Sequence, residues 1–274
     1  MPSLPFDPRI ASWFAAHVGA PTDIQARAWP RIAAGEHVLA VAPTGSGKTL
    51  TAFLCALDRL ATGAWPTGRV SVVYVSPLKA LGTDVRTNLL APLAGIRRSF
   101  EAAGQKLPPI RVAIRSGDTS SEERRHMLRK PPEILITTPE SLNLLLSSRG
   151  GRGMLGDVRL LILDEIHAVA GNKRGVFLLA AVERLALLAG EFQRVALSAT
   201  VTPLATVAAM VGGFAPATDA PGALVPRPVA IVASEAPKRM EARVRHVPWP
   251  EGDRTGGRVK AVAADLRERI KRNR

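Results

Sequence analysis

A glycine-rich turn constrains this chain more than any other feature of its sequence. The turn reads Ala-Pro-Thr-Gly-Ser-Gly-Lys-Thr over residues 42–49, and it stands between an apolar β-branched run and a helical pattern. It departs from the strict phosphate-loop pattern only in having Ala42 where the first glycine would stand. Backbone N–H groups in such a turn face phosphate oxygens, and the dipole of the following helix attracts negative charge. The sequence therefore predicts a phosphate-binding site here rather than an ordinary connection between a strand and a helix.

The side chains of this turn have distinct predicted roles. The Lys48 ammonium would reach the β- and γ-phosphates of a nucleotide as a point charge, and the Thr49 hydroxyl would bind Mg²⁺. Glycines at positions 45 and 47 allow the backbone to curl around the phosphates. The predicted nucleotide contacts in the turn are Thr44, Gly45, Ser46, Gly47, Lys48 and Thr49.

Short apolar runs alternate with helical patterns from about residue 36 to residue 200. The runs are nearly continuous in apolar residues, which is typical of parallel strands covered on both faces. We predict an α/β fold with a mostly parallel sheet and helices on both faces. Ligands of such sheets bind beyond the carboxyl ends of the strands, so functional side chains are expected directly after them. The predicted strands are residues 37–42, 70–75, 110–114, 133–137, 160–163 and 194–197, and the predicted helices include 48–60, 79–93 and 175–188.

Two adjacent carboxylates follow the predicted strand at residues 160–163. Asp164 would hold Mg²⁺ and its waters, and Glu165 would orient or deprotonate an attacking water. An Asp-Glu pair after a strand is also common as a helix cap, but its combination with a phosphate loop favours the catalytic interpretation. His167, taken alone, is more typical of a loop or core histidine.

These segments together resemble the first RecA-like domain of superfamily 2 helicases of the DEAD/DEAH type. The matching segments, in the order expected for that superfamily, are residues 45–49, 76–81, 138–141, 164–167 and 198–200. Residues 171–175, Gly-Asn-Lys-Arg-Gly, further resemble the large helicase-related (Lhr) group, and alanine at position 42 is usual in superfamily 2. The resemblance covers about residues 6–227. It implies a RecA-like phosphate-loop NTPase domain that uses ATP and Mg²⁺ and binds nucleic acid.

The resemblance also gives roles to residues near the nucleotide. Gln25 would read the N6/N7 edge of adenine, although Thr22 and Gln25 equally fit a helix start with Thr22 as its cap. His167 joins the two carboxylates as an implied catalytic residue. The hydroxyls of Ser198 and Thr200 would bridge to the segment at 164–167 and relay the nucleotide state.

Segments after the remaining predicted strands are implied contacts for the phosphates of a single nucleic-acid strand. Backbone N–H groups and small hydroxyls at helix starts suit such contacts. As isolated tetrapeptides, the same segments read equally well as helix caps. The implied nucleic-acid contacts are Ser76, Pro77, Lys79, Arg115, Thr138, Pro139 and Glu140.

We expect four regions along the chain. Residues 1–36 would form a short N-terminal helical cap, packed through Trp13, Phe14 and Trp29, that carries the adenine-reading segment. The RecA-like ATP-binding domain would span residues 37–213, ending in a helix at 201–213, and a Pro-, Ala- and Gly-rich linker would follow at 214–227.

The fourth region, residues 228–274, resembles the start of a second RecA-like domain that is truncated. Strands are predicted at 228–232 and 242–247, a loop at 248–257, and a basic amphipathic helix at 258–274. The resemblance implies that the missing second domain is a partner of the first. Such a domain would supply arginine fingers, whose loss typically costs about 10³–10⁵ in rate.

The charge balance favours a polyanionic partner. The formal net charge is +14, and half of this surplus lies in residues 227–274, which contain 13 basic and 6 acidic residues. An arginine-rich coding bias would also raise the isoelectric point, so basicity alone leaves the partner open. Aromatic residues make up only 4% of the chain, which predicts recognition of the nucleic-acid backbone rather than base stacking.

Two features predict a cytoplasmic protein without a membrane span. Charges or prolines interrupt every apolar stretch before the roughly 20 residues that a membrane helix needs. The single cysteine, Cys55, cannot form an internal disulfide, which fits a reducing compartment, and we expect it to pack in the core.

Two functions remain open at this point. The first is the ATP-binding half of a nucleic-acid-dependent ATPase and helicase that acts on single-stranded or partly duplex nucleic acid. The resemblance weakly favours DNA over RNA and a role in DNA repair. The second is a module that binds ATP and nucleic acid with negligible turnover of its own, and a related translocase or remodelling ATPase is a further alternative.

Overall fold

A computed structural model describes residues 4–77, 79–217, 220, 222–235, 247–248 and 257–272 of the chain. The chain divides into two compact units, Met1–Ala236 and Pro237–Arg274. The first unit contains the sheet and all of the predicted site segments. In the second, one helix (Gly257–Arg272) is described, close to the predicted basic helix.

Seven parallel strands form the central sheet of the first unit, in the order β3-β4-β2-β5-β6-β1-β9. The first six strands along the chain match the predicted ones within two residues at each end. The strands, with the two-stranded antiparallel hairpin β7-β8, are β1 (His37–Val41), β2 (Val72–Val75), β3 (Val112–Arg115), β4 (Ile134–Thr137), β5 (Leu160–Leu163), β6 (Gln193–Ser198), β7 (Phe214–Pro216), β8 (Leu224–Pro226) and β9 (Val229–Ala233).

Helices cover both faces of the sheet, as predicted. Neighbouring strand residues contribute to different cores: Val38 and Ala40 of β1 pack in one apolar cluster, and Leu39 and Val41 pack in the other. This is the alternation expected of a strand buried on both sides. The helices are α1 (Pro8–His17), α2 (Asp23–Ala33), α3 (Lys48–Ala61), α4 (Lys79–Ala102), α5 (Ser121–Arg129), α6 (Pro139–Ser147), α7 (Arg149–Leu155), α8 (Lys173–Ala189), α9 (Leu204–Gly212) and, in the second unit, α10 (Gly257–Arg272).

The N-terminal helices α1 and α2 form the predicted cap on one face. Trp13, Phe14 and Trp29 are all buried, and the rings of Phe14 and Trp29 meet edge to face at 5.1 Å. The Trp29 indole N–H donates to the backbone oxygen of Thr51 at 3.1 Å. This bond ties the cap to α3, the helix that begins at the phosphate loop. Cys55, on the same helix, is buried in the core as expected.

The end of the first unit differs from the prediction. Residues 214–227, predicted as a linker, contain the hairpin strands β7 and β8, and β9 lies in the main sheet rather than in a second domain. Arg227 explains part of this arrangement, because its guanidinium donates to Glu191 at 2.7 Å and to Glu183 at 3.2 Å, next to the start of β9. The Arg227 side chain is buried and both glutamates are exposed, so these ion pairs hold the start of β9 in a way that the sequence pattern alone does not indicate.

Hydrogen bonds hold the chain where it leaves β9. The N–H of Ser234 donates to Val41 O at 2.8 Å, and the N–H of Glu235 donates to the Asp23 carboxylate at 3.1 Å. Arg27 of α2 pairs with the Glu235 carboxylate at 3.0 Å. The compact unit therefore extends through residue 236, beyond the predicted boundary at 227.

Two further predictions concern the segment at 242–257 and membrane-spanning helices. The predicted strand at 242–247 and most of the loop at 248–257 lie outside the described residues. Among the described helices, none combines the length and the apolar composition that crossing a bilayer requires.

Candidate functional site

The strand order divides the carboxyl edge of the sheet into two halves. The first, which we call the phosphate-loop half, is formed by the adjacent strands β5, β6 and β1, followed by residues 164–167, 198–200 and 42–49. The second, the helix-cap half, is formed by the adjacent strands β3, β4 and β2, followed by residues 115–118, 138–141 and 76–81. The segments predicted to contact nucleotide thus lie in the first half of the edge, and those predicted to contact nucleic acid lie in the second half beside it.

The phosphate loop curls as its glycines predict. Gly47 adopts φ +81°, a left-handed conformation, and a Cβ at this position would lie 2.7 Å from the Gln25 side-chain nitrogen. Only glycine fits both the conformation and the close approach. The Lys48 ammonium lies against the loop and donates to the backbone oxygens of Ala42 at 2.6 Å and Pro43 at 2.9 Å. The loop therefore holds its lysine at the start of α3.

One cavity joins the phosphate loop to the carboxylate pair. It has a volume of about 370 Å³, and its walls include Lys48, Thr49, Asp164 and Glu165. Lys48 is 7% exposed, and burial lowers the pKa of its ammonium, although both carboxylates oppose that shift. Segments more than a hundred residues apart in the chain thus converge on one space.

Asp164 is the most constrained side chain of this cavity. One carboxylate oxygen accepts a hydrogen bond from the buried Tyr74 hydroxyl, and the other accepts from the N–H of Glu165 at 2.9 Å. Burial raises the pKa of Asp164, and the Tyr74 hydrogen bond opposes that rise. Glu165 itself adopts φ +48°, the one non-glycine residue with positive φ in the described part of the chain. Left-handed strain at a non-glycine residue is typical of functional sites.

His167 connects the carboxylate segment to the end of β6. Its Nδ1 accepts a hydrogen bond from the N–H of Ala199 at 3.2 Å and lies 3.4 Å from the Ser198 hydroxyl. The Glu165 carboxylate lies 3.2 Å from the same nitrogen. The predicted bridge between these segments is therefore present through Ser198, whereas Thr200 is exposed.

Gln25 supports the phosphate loop from α2. Its side-chain oxygen accepts from the N–H of Thr22 at 3.0 Å, and its amide nitrogen donates to Gly47 O at 3.4 Å. The Thr22 hydroxyl donates to Ser46 O at 2.9 Å. Gln25 is 2% exposed. Of the two interpretations left open, the helix start is therefore seen directly, and the adenine contact stays a prediction.

Ser46 provides an independent indication of a ligand. Its hydroxyl oxygen is buried and has no hydrogen-bond partner among the residues that the structure describes. A buried hydroxyl without a partner is costly. Its position in the loop suits a phosphate oxygen, and the cradle formed by the loop backbone fits the same group.

In the helix-cap half, the predicted contacts lie at the starts of two helices. Ser76 is buried at the end of β2, and the side chain of Lys79 lies outside the described residues. The Thr138 hydroxyl caps α6 by accepting from the N–H of Ser141 at 3.3 Å. Pro77 and Pro139 are both buried, and Glu140 is exposed in the first turn of α6. Thus the helix-cap interpretation of Thr138 is seen directly, and the contact of this segment with nucleic acid stays a prediction.

Arg115 does not lie on an open surface. It is 8% exposed, and its guanidinium donates to Ser116 O at 2.6 Å. Burial lowers the pKa of this side chain, and nearby Arg124 adds to that effect. Its contact with nucleic acid stays a prediction, and in this structure the side chain supports its own loop.

Sequence reasoning missed two polar residues that link the halves. Tyr74, in β2, reaches Asp164 after β5, and a tyrosine inside an apolar strand gave no signal of this. Arg174 pairs with Glu140 at 2.6 Å. The segment at 171–175 was singled out only for its family resemblance, so its position beside α6 could not be read from the pattern.

Comparisons with known proteins agree with this geometry. Residues 22–207 match the family model described as DEAD/DEAH box helicase. The chain is 51% identical over 215 residues to the Lhr helicase/probable uracil glycosylase of Mycolicibacterium smegmatis. This match covers 78% of the chain and 14% of the relative. It is 48% identical over 208 residues to the ATP-dependent helicase Lhr-Core protein 2 of Thermococcus barophilus, covering 75% of this chain and 24% of the relative.

A solved structure resembles the chain over nearly its whole length. The structure of Mycobacterium smegmatis helicase Lhr bound to ssDNA and AMP-PNP matches with a TM-score of 0.78 and 43% identity. The match covers 97% of this chain and 32% of that one. The resemblance to the Lhr group and the RecA-like fold are thereby confirmed. The chain spans less than a quarter of the length of the two curated relatives named above.

Proposed function

The chain belongs to the DEAD/DEAH box helicase family, and on that premise we propose that it is the ATP-binding part of a nucleic-acid-dependent ATPase and helicase of the Lhr type. The observation that carries the proposal is the shared cavity. The phosphate loop, Asp164 and Glu165 line the same space of about 370 Å³, which is the arrangement that phosphoryl transfer from a nucleotide requires.

The phosphate loop would bind the triphosphate of ATP. Two protons of the Lys48 ammonium go to Ala42 O and Pro43 O, so the third is available for a β- or γ-phosphate oxygen. The partnerless Ser46 hydroxyl and the loop N–H groups would complete the cradle. Thr44 and Gly45, which line the same cavity, would border the phosphates.

Thr49 and Asp164 would hold Mg²⁺. Hydroxyl and carboxylate oxygens are ligands that this ion prefers, and it is usually bound by one or two carboxylates together with substrate phosphates. Bound Mg²⁺ would neutralise charge that develops on the phosphate oxygens.

Glu165 would position the attacking water. Its carboxylate lines the cavity beside Asp164, and it lies 3.2 Å from His167 Nδ1. His167 in turn contacts Ser198 and the N–H of Ala199. A change at Glu165 on hydrolysis would thus reach the end of β6, which supports coupling through Ser198 and, at the exposed end, Thr200.

The helix-cap half would bind the backbone of a single nucleic-acid strand. The positive end of a helix dipole attracts phosphates, and the chain carries a net charge of +14. The M. smegmatis relative of known structure was bound to ssDNA, which supports DNA over RNA. The M. smegmatis relative is an Lhr helicase and probable uracil glycosylase, which supports a role in DNA repair. The single cysteine, which cannot form an internal disulfide, supports a cytoplasmic location.

Nucleotide titration tests the site assignment. We expect Lys48→Ala to weaken binding of a fluorescent ATP analogue by more than about 100-fold, because its charge-assisted contacts with phosphate are lost. Lys106→Ala, which removes an exposed lysine outside the cavity, serves as the matched control and should bind as the wild type does. Unchanged affinity in Lys48→Ala would refute the assignment.

A steady-state ATPase assay with and without single-stranded DNA tests the activity. Turnover that rises when DNA is added supports the motor function for this chain. Binding of nucleotide and DNA without stimulated turnover supports the alternative, a binding module, and contradicts the motor function for this chain. Competition between DNA and RNA strands of the same sequence tests the nucleic-acid preference.

A further inference from the structure

One wall of the nucleotide cavity is not used by the proposed function. Helix α4 forms this wall through Val85, Asn88, Leu89 and Pro92. Residues three, four and seven positions apart lie on the same side of a helix, so the four side chains form one surface. This surface borders the same space of about 370 Å³ as the phosphate loop and the carboxylate pair.

Asn88 is the polar exception on this wall. Val85 and Leu89 are buried in the apolar core, and Pro92 is half-buried. Asn88 is exposed, and its side chain has no hydrogen-bond partner among the residues that the structure describes. Its amide therefore has two N–H donors and a carbonyl acceptor available to a ligand. A polar residue that interrupts an apolar surface without a structural partner is typical of a functional position.

Packing holds α4 in its place beside the cavity. Gly95, two turns after Asn88, lies so close to α1 that an added Cβ would overlap the Trp13 indole. Leu93 and Ile96 are buried in the core cluster that also contains residues of α3. Closely packed side chains resist displacement. The α4 wall is therefore in position before any ligand binds.

The groups that line the cavity with Asn88 are those that the proposed function assigns to the last phosphate of ATP and its Mg²⁺. These groups are Lys48, Thr49, Asp164 and Glu165. A γ-phosphate bound among them would occupy the space that the α4 wall borders. An amide N–H suits a phosphate oxygen, because it donates a hydrogen bond without adding negative charge to a cavity that already contains two carboxylates. ADP has no phosphate at this position, so Asn88 would stay exposed to water when ADP is bound.

We propose that Asn88 sets a preference for nucleoside triphosphate over diphosphate: its side-chain amide donates a hydrogen bond to the γ-phosphate and makes no contact with a diphosphate. The inference rests on the proposed function and adds a residue outside the phosphate loop and the carboxylate pair. Helix α4 begins shortly after β2, in the helix-cap half. Recognition of the γ-phosphate thus involves a helix from the other half of the carboxyl edge.

Paired nucleotide titrations of the full chain test this role. Affinities for a fluorescent, non-hydrolysable ATP analogue and for the matching ADP analogue would be measured with Mg²⁺ for the wild type, Asn88→Ala and Asn88→Leu. Asn88→Leu keeps the size of the side chain and continues the apolar wall. Gln105→Ala is the control, because Gln105 carries an exposed amide beyond the end of α4 and outside the cavity. Thermal unfolding would verify that each variant folds.

We expect both Asn88 variants to weaken binding of the ATP analogue by about tenfold, because a hydrogen bond to a charged phosphate is lost. Their affinity for the ADP analogue should change by less than about twofold. The preference for triphosphate should therefore fall by about tenfold, which a purely structural role of the side chain would not produce. Gln105→Ala should bind both nucleotides as the wild type does.

Four outcomes would overturn the proposal. Equal losses for the two nucleotides would mean that Asn88 shapes the cavity without contacting the γ-phosphate. A loss in Asn88→Ala that is absent in Asn88→Leu would assign the effect to packing and not to the amide. A wild-type chain that binds the two nucleotides equally would have no preference for Asn88 to set. Wild-type affinities in both Asn88 variants would overturn this proposal alone, provided that Lys48→Ala still loses nucleotide.

The Lys48→Ala titration separates this proposal from the proposed function. Unchanged affinity in Lys48→Ala would refute the nucleotide site itself, and the assignment of Asn88 would fail with it. Loss of binding in Lys48→Ala, together with an unchanged preference in the Asn88 variants, would leave the nucleotide site intact and remove only the contact from α4.

Discussion

The two halves of the carboxyl edge hold their polar groups in different ways. In the phosphate-loop half, Lys48 and Asp164 are each 7% exposed, and main-chain groups satisfy much of their hydrogen bonding. In the helix-cap half, Glu140 is exposed and its charge is balanced by another side chain. The carboxylate of the first half is thus held by burial and hydrogen bonds and that of the second by a surface ion pair, although Ser76 and Thr138 of the second half are buried as well.

This difference has opposite effects on acidity. Burial raises the pKa of Asp164, whereas the ion pair with Arg174 lowers the pKa of Glu140. A buried site gains strong electrostatic interactions because the surrounding dielectric is low. It also becomes intolerant of small changes, since a buried group that loses its partner cannot form a replacement hydrogen bond with water. We therefore expect substitutions in the phosphate-loop half to have the larger effects.

After Lys48→Ala, the largest effect is expected from Gly47→Ala. The substitution forces a side chain into a φ of +81° and within 2.7 Å of the Gln25 amide, so the loop backbone is strained and either Gln25 or the loop must move. We expect nucleotide affinity to fall by about 100-fold, while DNA affinity without nucleotide changes by less than about twofold. Both would be measured by titration with fluorescent ligands.

Gly104→Ala is the matched control for Gly47→Ala. Gly104 has a φ of +72° but no atom within 4 Å of an added Cβ, so it carries the same kind of backbone strain, about 1–2 kcal/mol, away from the cavity. It should lower the free energy of unfolding and leave nucleotide affinity intact. Equal losses of nucleotide affinity in both variants would show that general destabilisation, and not the loop, is responsible.

A smaller effect is expected from Tyr74→Phe. The variant keeps the ring, which stacks on Phe53 at 5.1 Å, and removes only the hydrogen bond to Asp164. Loss of a hydrogen bond to a charged group should weaken Mg²⁺-dependent nucleotide binding by roughly tenfold. The pKa of Asp164, already raised by burial, should rise further because the tyrosine bond lowers it.

The pH dependence of this variant separates the two halves. Mg²⁺ requires the ionised carboxylate, so binding is lost as the pH falls through the pKa of Asp164. We expect that loss at a higher pH in Tyr74→Phe than in the wild type when titrations run from about pH 8 to pH 5. DNA affinity without nucleotide should be unchanged by the substitution at each pH. An identical pH profile in both proteins would contradict the role of Tyr74.

The smallest effect is expected from Thr138→Ala, which removes the cap of α6. Loss of a helix cap costs about 1 kcal/mol of unfolding free energy, measured by urea denaturation. DNA affinity should fall only a few-fold, because the dipole of α6 and the positive charge of the chain remain. Ser120→Ala removes the comparable cap of α5, in which the hydroxyl accepts from Glu123 N–H at 3.2 Å. It should cost similar stability without changing DNA affinity, and an equal loss of affinity in both variants would argue against α6 as a contact.

The sequence predicted the candidate site wherever a local pattern carries the chemistry. The phosphate loop and the Asp-Glu pair each follow a strand, and ligand binding at the carboxyl edge of parallel sheets brings them together. The strand order is set by long-range packing, and no local pattern in the chain encodes it. For that reason the separation of the edge into two halves, and the residues that cross between them, emerged only from the structure.

Two residues show why local patterns fall short. Tyr74 looks like an ordinary apolar strand residue until β5 is placed beside β2. Gln25 fits two roles equally by sequence, and its contacts with Thr22 and Gly47 depend on how α2 packs against the loop. Strand β9 is a similar case, because its pairing with β1 and the ion pairs of Arg227 next to its start are long-range contacts.

The pairing of β9 with β1 has a mechanical consequence. Strand β1 leads directly into the phosphate loop, and the bonds from Ser234 to Val41 and from Glu235 to Asp23 clamp the outgoing chain to β1 and α2. Tension applied to the polypeptide beyond residue 235 would load the parallel ladder between the two strands in shear, with its bonds sharing the force. Force applied beyond residue 235 would therefore be transmitted first to β1 and α2, the two elements next to the phosphate loop.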